Sequence, residues 1–161
     1  MKIKHIRAYA VEIPLVPEKR MISALGKHDV SRYVVVRVEA DNGLEGAGEA
    51  TVMPRWSGES VRGTVAMIED VFAGLLVGQD PADVVTIDRL MDRACAHNWF
   101  AKSAIEMACW DLVGKDRGKP VYELLGGACR SRSVRCRFSM GAYDPDRARR
   151  RAGELVSEGF D

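Results

Sequence analysis

AKSAIEMACWDLVGKDRGKPVYELLGG, residues 101–127, decides the fold of this chain. Ala101, Ala104, Ile105, Ala108, Cys109 and Leu112 recur at the three- and four-residue spacing of one helical face. Alanines on that stripe let another backbone come close, which predicts a helix packed tightly inside a domain. Gly118 can take the left-handed cap and Pro120 cannot continue a helix, so the helix ends there. Pro120 then suits the first turn of a short helix over 121–125, closed by Gly126 and Gly127.

Toward the N-terminus, residues 3–15 read as a strand ended by Pro14 and Pro17. Residues 33–40 form a second, valine-rich strand, and Asp41-Asn42-Gly43 tolerates the positive φ of a hairpin turn. Residues 44–50 return as its partner, with Gly46 and Gly48 leaving room for a close backbone. The segment 16–31 is long for a hairpin loop, a length that goes with function or mobility. Ser57 can cap the next helix, with Glu59 near its positive end. Val61, Val65, Ile68, Phe72, Leu75 and Leu76 make its apolar stripe, and Gly78 ends it. Asp80-Pro81 starts another helix, with Val84, Ile87, Met91 and Ala94 on its apolar side. Together these predict an α+β domain: a three-stranded antiparallel meander followed by a helical bundle.

Past Gly127 the texture changes. Val134, Cys136, Phe138 and Met140 alternate with Arg135, Arg137 and Ser139, as in a strand. Asp144-Pro145 opens a helix carrying Ala148, Ala152, Leu155 and Val156, and Gly159 closes it. A strand followed by a helix is one unit of a βα barrel.

Composition narrows the function classes. At 161 residues and 47% hydrophobic content the chain can bury an ordinary core. A net charge of +1 gives no global pull toward nucleic acid or an anionic membrane, and no apolar run has membrane-spanning length. Eight arginines lie between 130 and 151, but without interleaved aromatics they read as a solvated helix face. MKIKHIRAYAVEIPL alternates like a strand rather than a signal peptide. Cys95, Cys109, Cys129 and Cys136 show no CxxC pairing and read as reduced thiols of a cytoplasmic protein. Cys95 and His97 lack a zinc spacing. No spacing unites Glu49, Glu106 and Asp111 as an acid/base pair, and Asp111 reads as a structural group near its helix end.

The pattern AKxAIExAxWDLxGKxxGxPVYxLLGG resembles the enolase superfamily, in the branch of mandelate racemase and muconate lactonising enzyme. MPRWSGES at 53–60 and HNWFAKSAIEMACWD at 97–111 carry a further likeness to its muconate lactonising subgroup. The resemblance implies an N-terminal capping domain over 1–128, then the first strand and helix of a truncated TIM-like (β/α) barrel over 129–161. In that family a Gly-Phe like Gly159-Phe160 precedes the second barrel strand, whose Lys-x-Lys supplies an acid/base catalyst. Three acidic metal ligands lie on later strands. The resemblance therefore assigns no catalytic residue and no metal ligand within this chain.

Enzymes of this kind abstract the proton α to a carboxylate, with Mg2+ or Mn2+ stabilising the enolate and a lysine as base. The expectation is the substrate-selecting part of a muconate cycloisomerase-like enzyme or a racemase/epimerase, inactive and metal-free as a fragment. An acid-sugar dehydratase of the same superfamily stays open. So does a noncatalytic binding or assembly module, or a decayed gene product. The implied partners of the whole enzyme are a small carboxylate and further copies of itself in a homo-oligomer, with neither nucleic acid nor membrane.

The resemblance also points to two loops that close over the barrel mouth and choose the substrate. By it Met21, Ile22 and Leu25 line one apolar wall, with Met53, Arg55 and Trp56 opposite. Ser139 falls near the C-terminal end of the first barrel strand, facing substrate. The alternatives are that Met53 and Trp56 only pack their loop on the cap, and that Ser139 bonds solvent or backbone.

Overall fold

The computed structural model describes residues 1–24 and 26–160, leaving aside the side chains of Lys19 and Met21. Its strands are β1 (Ile3–Pro14), β2 (Met21–Ser23), β3 (Gly26–His28), β4 (Val30–Ala40) and β5 (Glu45–Thr51). The helices are α1 (Pro54–Ser57), α2 (Val61–Ala66), α3 (Ala73–Leu76), α4 (Val84–Ala94), α5 (Trp99–Arg117), α6 (Val121–Leu124) and α7 (Pro145–Ser157). A π-helical stretch, Met67–Phe72, joins α2 to α3. Two compact units divide the chain: Met1–Glu12 with Arg32–Gly127, and Ile13–Ser31 with Ala128–Asp161.

In the first unit an antiparallel sheet runs β1-β4-β5. The register from Tyr33↔Thr51 to Glu39↔Glu45 is fixed by the turn at Gly43, whose φ is 81°. Alternation buries Val34, Val36, Val38 and Ala40 on one face. On that face lies α5, with all six residues of its predicted stripe buried. Gly46 and Gly48 touch the helix directly: a Cβ on Gly46 would meet the Ala108 carbonyl, and one on Gly48 the Ala104 carbonyl. The small residues predicted on helix and strand are each other's partners. Gly118, at φ 62°, ends α5, and Lys119 N–H reaches back to Gly114 O at 2.9 Å.

Both edges of the sheet are closed by helix side chains. Glu69 accepts the Ala8 N–H of β1 at 3.2 Å. On the other side Asp111 accepts the Ala47 N–H at 2.8 Å, and Lys115 donates to Glu45 O at 2.8 Å. Edge strands so engaged have fewer free groups with which to recruit another chain.

Four local expectations are corrected. Ser57 does not cap the next helix; Pro54–Ser57 makes its own turn, and Ser60 caps α2 by accepting Gly63 N–H at 3.2 Å. Leu75 is 39% exposed while Ile68, Phe72 and Leu76 are fully buried. The π turn adds a residue to the ladder, so the apolar face past it shifts by about one position. Helix α4 starts at Val84 behind an Asp83 cap, because Asp80 closes a turn of its own onto Ala82 N–H at 2.9 Å.

The fourth correction falls in the second unit. Residues 133–140 alternate like a strand but join no ladder among the described residues, and Val134 is 82% exposed. Alternation is a local property, and a strand also needs a neighbour to bond. Helix α7 forms as expected, with Asp144 accepting Arg147 N–H at 2.9 Å and Leu155 buried. The segment 16–31, expected as a long loop, holds the β2-β3 hairpin within it, paired from Met21↔His28 to Ser23↔Gly26.

Candidate functional site

Met53, Arg55 and Trp56 share one helical turn of the first unit. Pro54 at its start supplies the φ of a first helical residue. Trp56 and Ser57 N–H donate to Met53 O at 2.9 and 3.1 Å, and Gly58 N–H to Pro54 O at 2.9 Å. Gly58, at φ 75°, then turns the chain away. The result holds Met53 half-buried and displays Arg55 and Trp56, the latter 76% exposed. Trp56 therefore does not serve as packing for its own loop within this unit.

Glu59, just past that turn, has a different role from the one its sequence position suggests. It is buried, and its two carboxylate oxygens accept Phe100 N–H at 2.9 Å and Ala101 N–H at 3.1 Å. It caps α5, not α2. The residue at the usual capping place, Asn98, is left-handed at φ 53° and makes no side-chain cap. A carboxylate at this helix end satisfies donors that would otherwise be orphaned and sits favourably in the helix dipole. Lys102 of the same helix is buried as well, and its ammonium donates to Asp92 at 2.8 Å and Cys95 O at 2.7 Å and lies 4.7 Å from the Trp99 ring centroid. The chain spacing between Glu59 and its partners, 41 and 42 residues, leaves no local signal to find it by.

In the second unit Ile22 O accepts the Ala142 N–H at 2.7 Å. A Cβ on Gly141 would stand 3.0 Å from the same oxygen and 3.1 Å from the Tyr143 ring. The hairpin carrying Ile22 is thereby joined to the segment that carries Ser139, which is exposed. Sequence reasoning missed Gly141, although a glycine two residues past Ser139 is the sort of signal that marks close backbone approach. Leu25 lies outside the described residues, as does the side chain of Met21. Beside the hairpin's lead-in, a cleft of about 460 Å³ is lined by Pro17, Tyr143, Arg147, Arg150 and Glu154 among others. Arg147 stacks 4.0 Å from the Tyr143 ring centroid and donates to Glu18 O at 3.3 Å. Arg149 pairs with Asp146, and Arg151 with Glu154 and Glu158, as on a solvated helix.

The acidic residues have structural employment. Asp111 holds the β5 edge and Lys115, and Glu106 accepts the Trp110 Nε1–H at 3.2 Å. Burial pushes the Cys109 thiol up to about 12, with Asp88 and Glu106 adding to the effect. Among the described residues no three His, Cys, Asp or Glu side chains come together as a cation site.

Residues 6–126 match the family model of the mandelate racemase / muconate lactonizing enzyme N-terminal domain. The chain belongs to that family. Curated relatives include the N-succinyl-L-Arg/Lys racemase of Bacillus cereus, 29% identical over 99% of this chain and 42% of the racemase. The hydrophobic dipeptide epimerase of Enterococcus faecalis is 34% identical over 100% of this chain and 44% of the epimerase. A chloromuconate cycloisomerase of Pseudomonas putida is 34% identical over 80% of this chain and 34% of the cycloisomerase. Among solved structures, that racemase superposes with a TM-score of 0.92 at 28% identity, covering 98% of this chain and 42% of its own. The E. faecalis epimerase, complexed with Mg and the dipeptide L-Leu-L-Tyr, gives 0.91 at 32% identity, covering 100% of this chain and 44% of its own. The fold is accordingly the α+β one of the N-terminal capping domains of the enolase superfamily. The chain spans under half the length of these relatives. No helix among the described residues is long and apolar enough to cross a membrane.

Proposed function

We infer that this chain is the substrate-selecting part of an enzyme that abstracts the proton α to a carboxylate. The observation that carries this is the match along nearly the whole chain to a racemase and an epimerase of one family. In this reading residues 1–128 are the cap and 129–161 the first strand-helix segment of a barrel that supplies the base and a Mg2+ or Mn2+ site. Met53, Arg55 and Trp56 on the α1 turn, with Met21, Ile22 and Leu25 on the hairpin and Ser139, then meet the substrate. The enzyme works as a cytoplasmic homo-oligomer on a small carboxylate. N-succinyl amino acids and dipeptides are both amino acids acylated on nitrogen, so N-acyl amino acids are the class to try first, with muconates second.

The test is α-proton exchange in deuterated water, with Mg2+, across N-acyl amino acids, dipeptides, muconates and acid sugars. It compares the 161-residue chain with a form continued to the length of its relatives. Exchange only by the longer form supports the reading. Exchange by neither, with the longer form folded, points to a noncatalytic module, and exchange by the short chain alone overturns the division of labour.

A further inference from the structure

The turn that displays Arg55 and Trp56 has few means of its own to stay in place. It is a single turn of four residues, Pro54–Ser57, and none of them is buried. A helix this short does not hold itself in water. Its flanks anchor it: before the turn Val52 is buried and its N–H donates to Arg32 O at 3.2 Å, and after the turn the chain is tied to α5. Gly58 is left-handed, Ser57 Oγ accepts the Glu59 N–H at 3.1 Å, and the Glu59 carboxylate is inserted at the N-terminus of α5. Helix α5 is in turn seated on β5 through glycine contacts that admit no side chain. A rigid path runs from the sheet through α5 and Glu59 to the turn.

We propose that Glu59 is a positioning residue: by docking on the N-terminus of α5 it sets where the α1 turn presents Arg55 and Trp56, and so sets substrate preference. The carboxylate suits this because it accepts two backbone N–H groups at once. Glutamine keeps the shape but offers only one oxygen, and its amide nitrogen would face an N–H donor. Aspartate keeps both oxygens on a shorter stem. This role rests on the proposed function, in which the turn meets substrate, yet its mechanical half stands apart from that function.

The experiment uses hydrogen exchange on the 161-residue chain, at the amides of residues 56–59 that bond to Met53 O, Pro54 O and Ser57 Oγ. Glu59→Gln raises exchange there about tenfold, as loss of a charge-assisted bond does locally. Ser57→Ala cuts the turn side of the link and gives the same local rise with α5 still capped. Leu112→Val loosens the core elsewhere and is the control for general destabilisation. Exchange at 56–59 no greater in Glu59→Gln than in that control overturns the proposal. In the form continued to the relatives' length, Glu59→Gln shifts the KM ratio between two carboxylates with kcat little changed, and Glu59→Asp restores part of it. If Trp56→Ala shifts that ratio and Glu59→Gln does not, the proposal fails while the function stands. If neither does, the turn does not select substrate and both fail.

Discussion

Gly48 of β5 lies directly beneath the Ala104 carbonyl of α5, so close that a single added Cβ would overlap the oxygen. Neither partner can yield, because one is backbone in a sheet and the other is backbone in a helix. Close packing of this kind transmits any added volume as a shift of the whole element. Replacing Ala104 or Ala108 with leucine, or Gly48 with alanine, destabilises the fold by about 1–3 kcal/mol. Thermal and urea melts of the three variants check this, and melts that match the parent would show a loosely seated helix.

That contact was legible in the sequence from both sides. Alanines at helical spacing and glycines at alternate strand positions are short-range patterns, and each announces room for a backbone. The Glu59 cap was not legible, since its donors lie 41 and 42 residues away and no spacing rule connects them. The displaced helix cap has a local cause. Ser57 was expected to cap the next helix, but the turn begun by Pro54 takes it up and the cap falls to Ser60. For Leu75, one π turn moved the face that regular periodicity assigned. At 133–140 alternation was real, but a ladder depends on a neighbour that local pattern does not supply.

Burial of Cys109 gives a pH-dependent stability whose sign is fixed. Its ordinary value is 9.0 and the folded value is raised to about 12. Below 9.0 the thiol is neutral in both states and its burial contributes fully. As pH rises past that, the unfolded chain ionises first, so the folded state loses stability between the two values. Urea midpoints of parent and Cys109→Ala, compared at about pH 8 and about pH 10, isolate this, because other titrating groups are common to both. The parent loses more on going to the higher pH.

The same burial separates the thiols by reactivity. Cys129 and Cys136 are exposed and Cys109 is buried. A thiol reagent at neutral pH modifies the exposed pair at once, and Cys109 only when the chain unfolds. Fast modification of Cys109 in the native chain would show that α5 leaves the sheet readily.

In the strand-like segment and helix of the second unit Val134, Phe138, Met140 and Val156 are exposed and only Leu155 is buried among the described residues, whereas Ala101, Ala104, Ile105, Ala108, Cys109 and Leu112 of α5 are fully buried. Amides in 133–156 therefore exchange faster than those in 101–113. Slower exchange in 133–156 contradicts this and would mean that the unit is held by something beyond its own packing.

Gly141 governs the approach of the β2-β3 hairpin to the segment bearing Ser139. Its Cβ position lies 3.0 Å from Ile22 O and 3.2 Å from Ile22 N, tighter than ordinary packing on two sides. Gly141→Val forces the hairpin outward and breaks the 2.7 Å bond from Ala142 N–H to Ile22 O. Exchange at the Ala142 amide rises about tenfold, the scale of one lost hydrogen bond, while α5 amides do not change. On the proposed function, in which the hairpin meets substrate and the base lies elsewhere, that variant in the form continued to the relatives' length raises KM with kcat little altered. A fall in kcat with KM unchanged would instead place this glycine beside the reacting atoms, and the hairpin would have to be counted part of the chemistry rather than of selection.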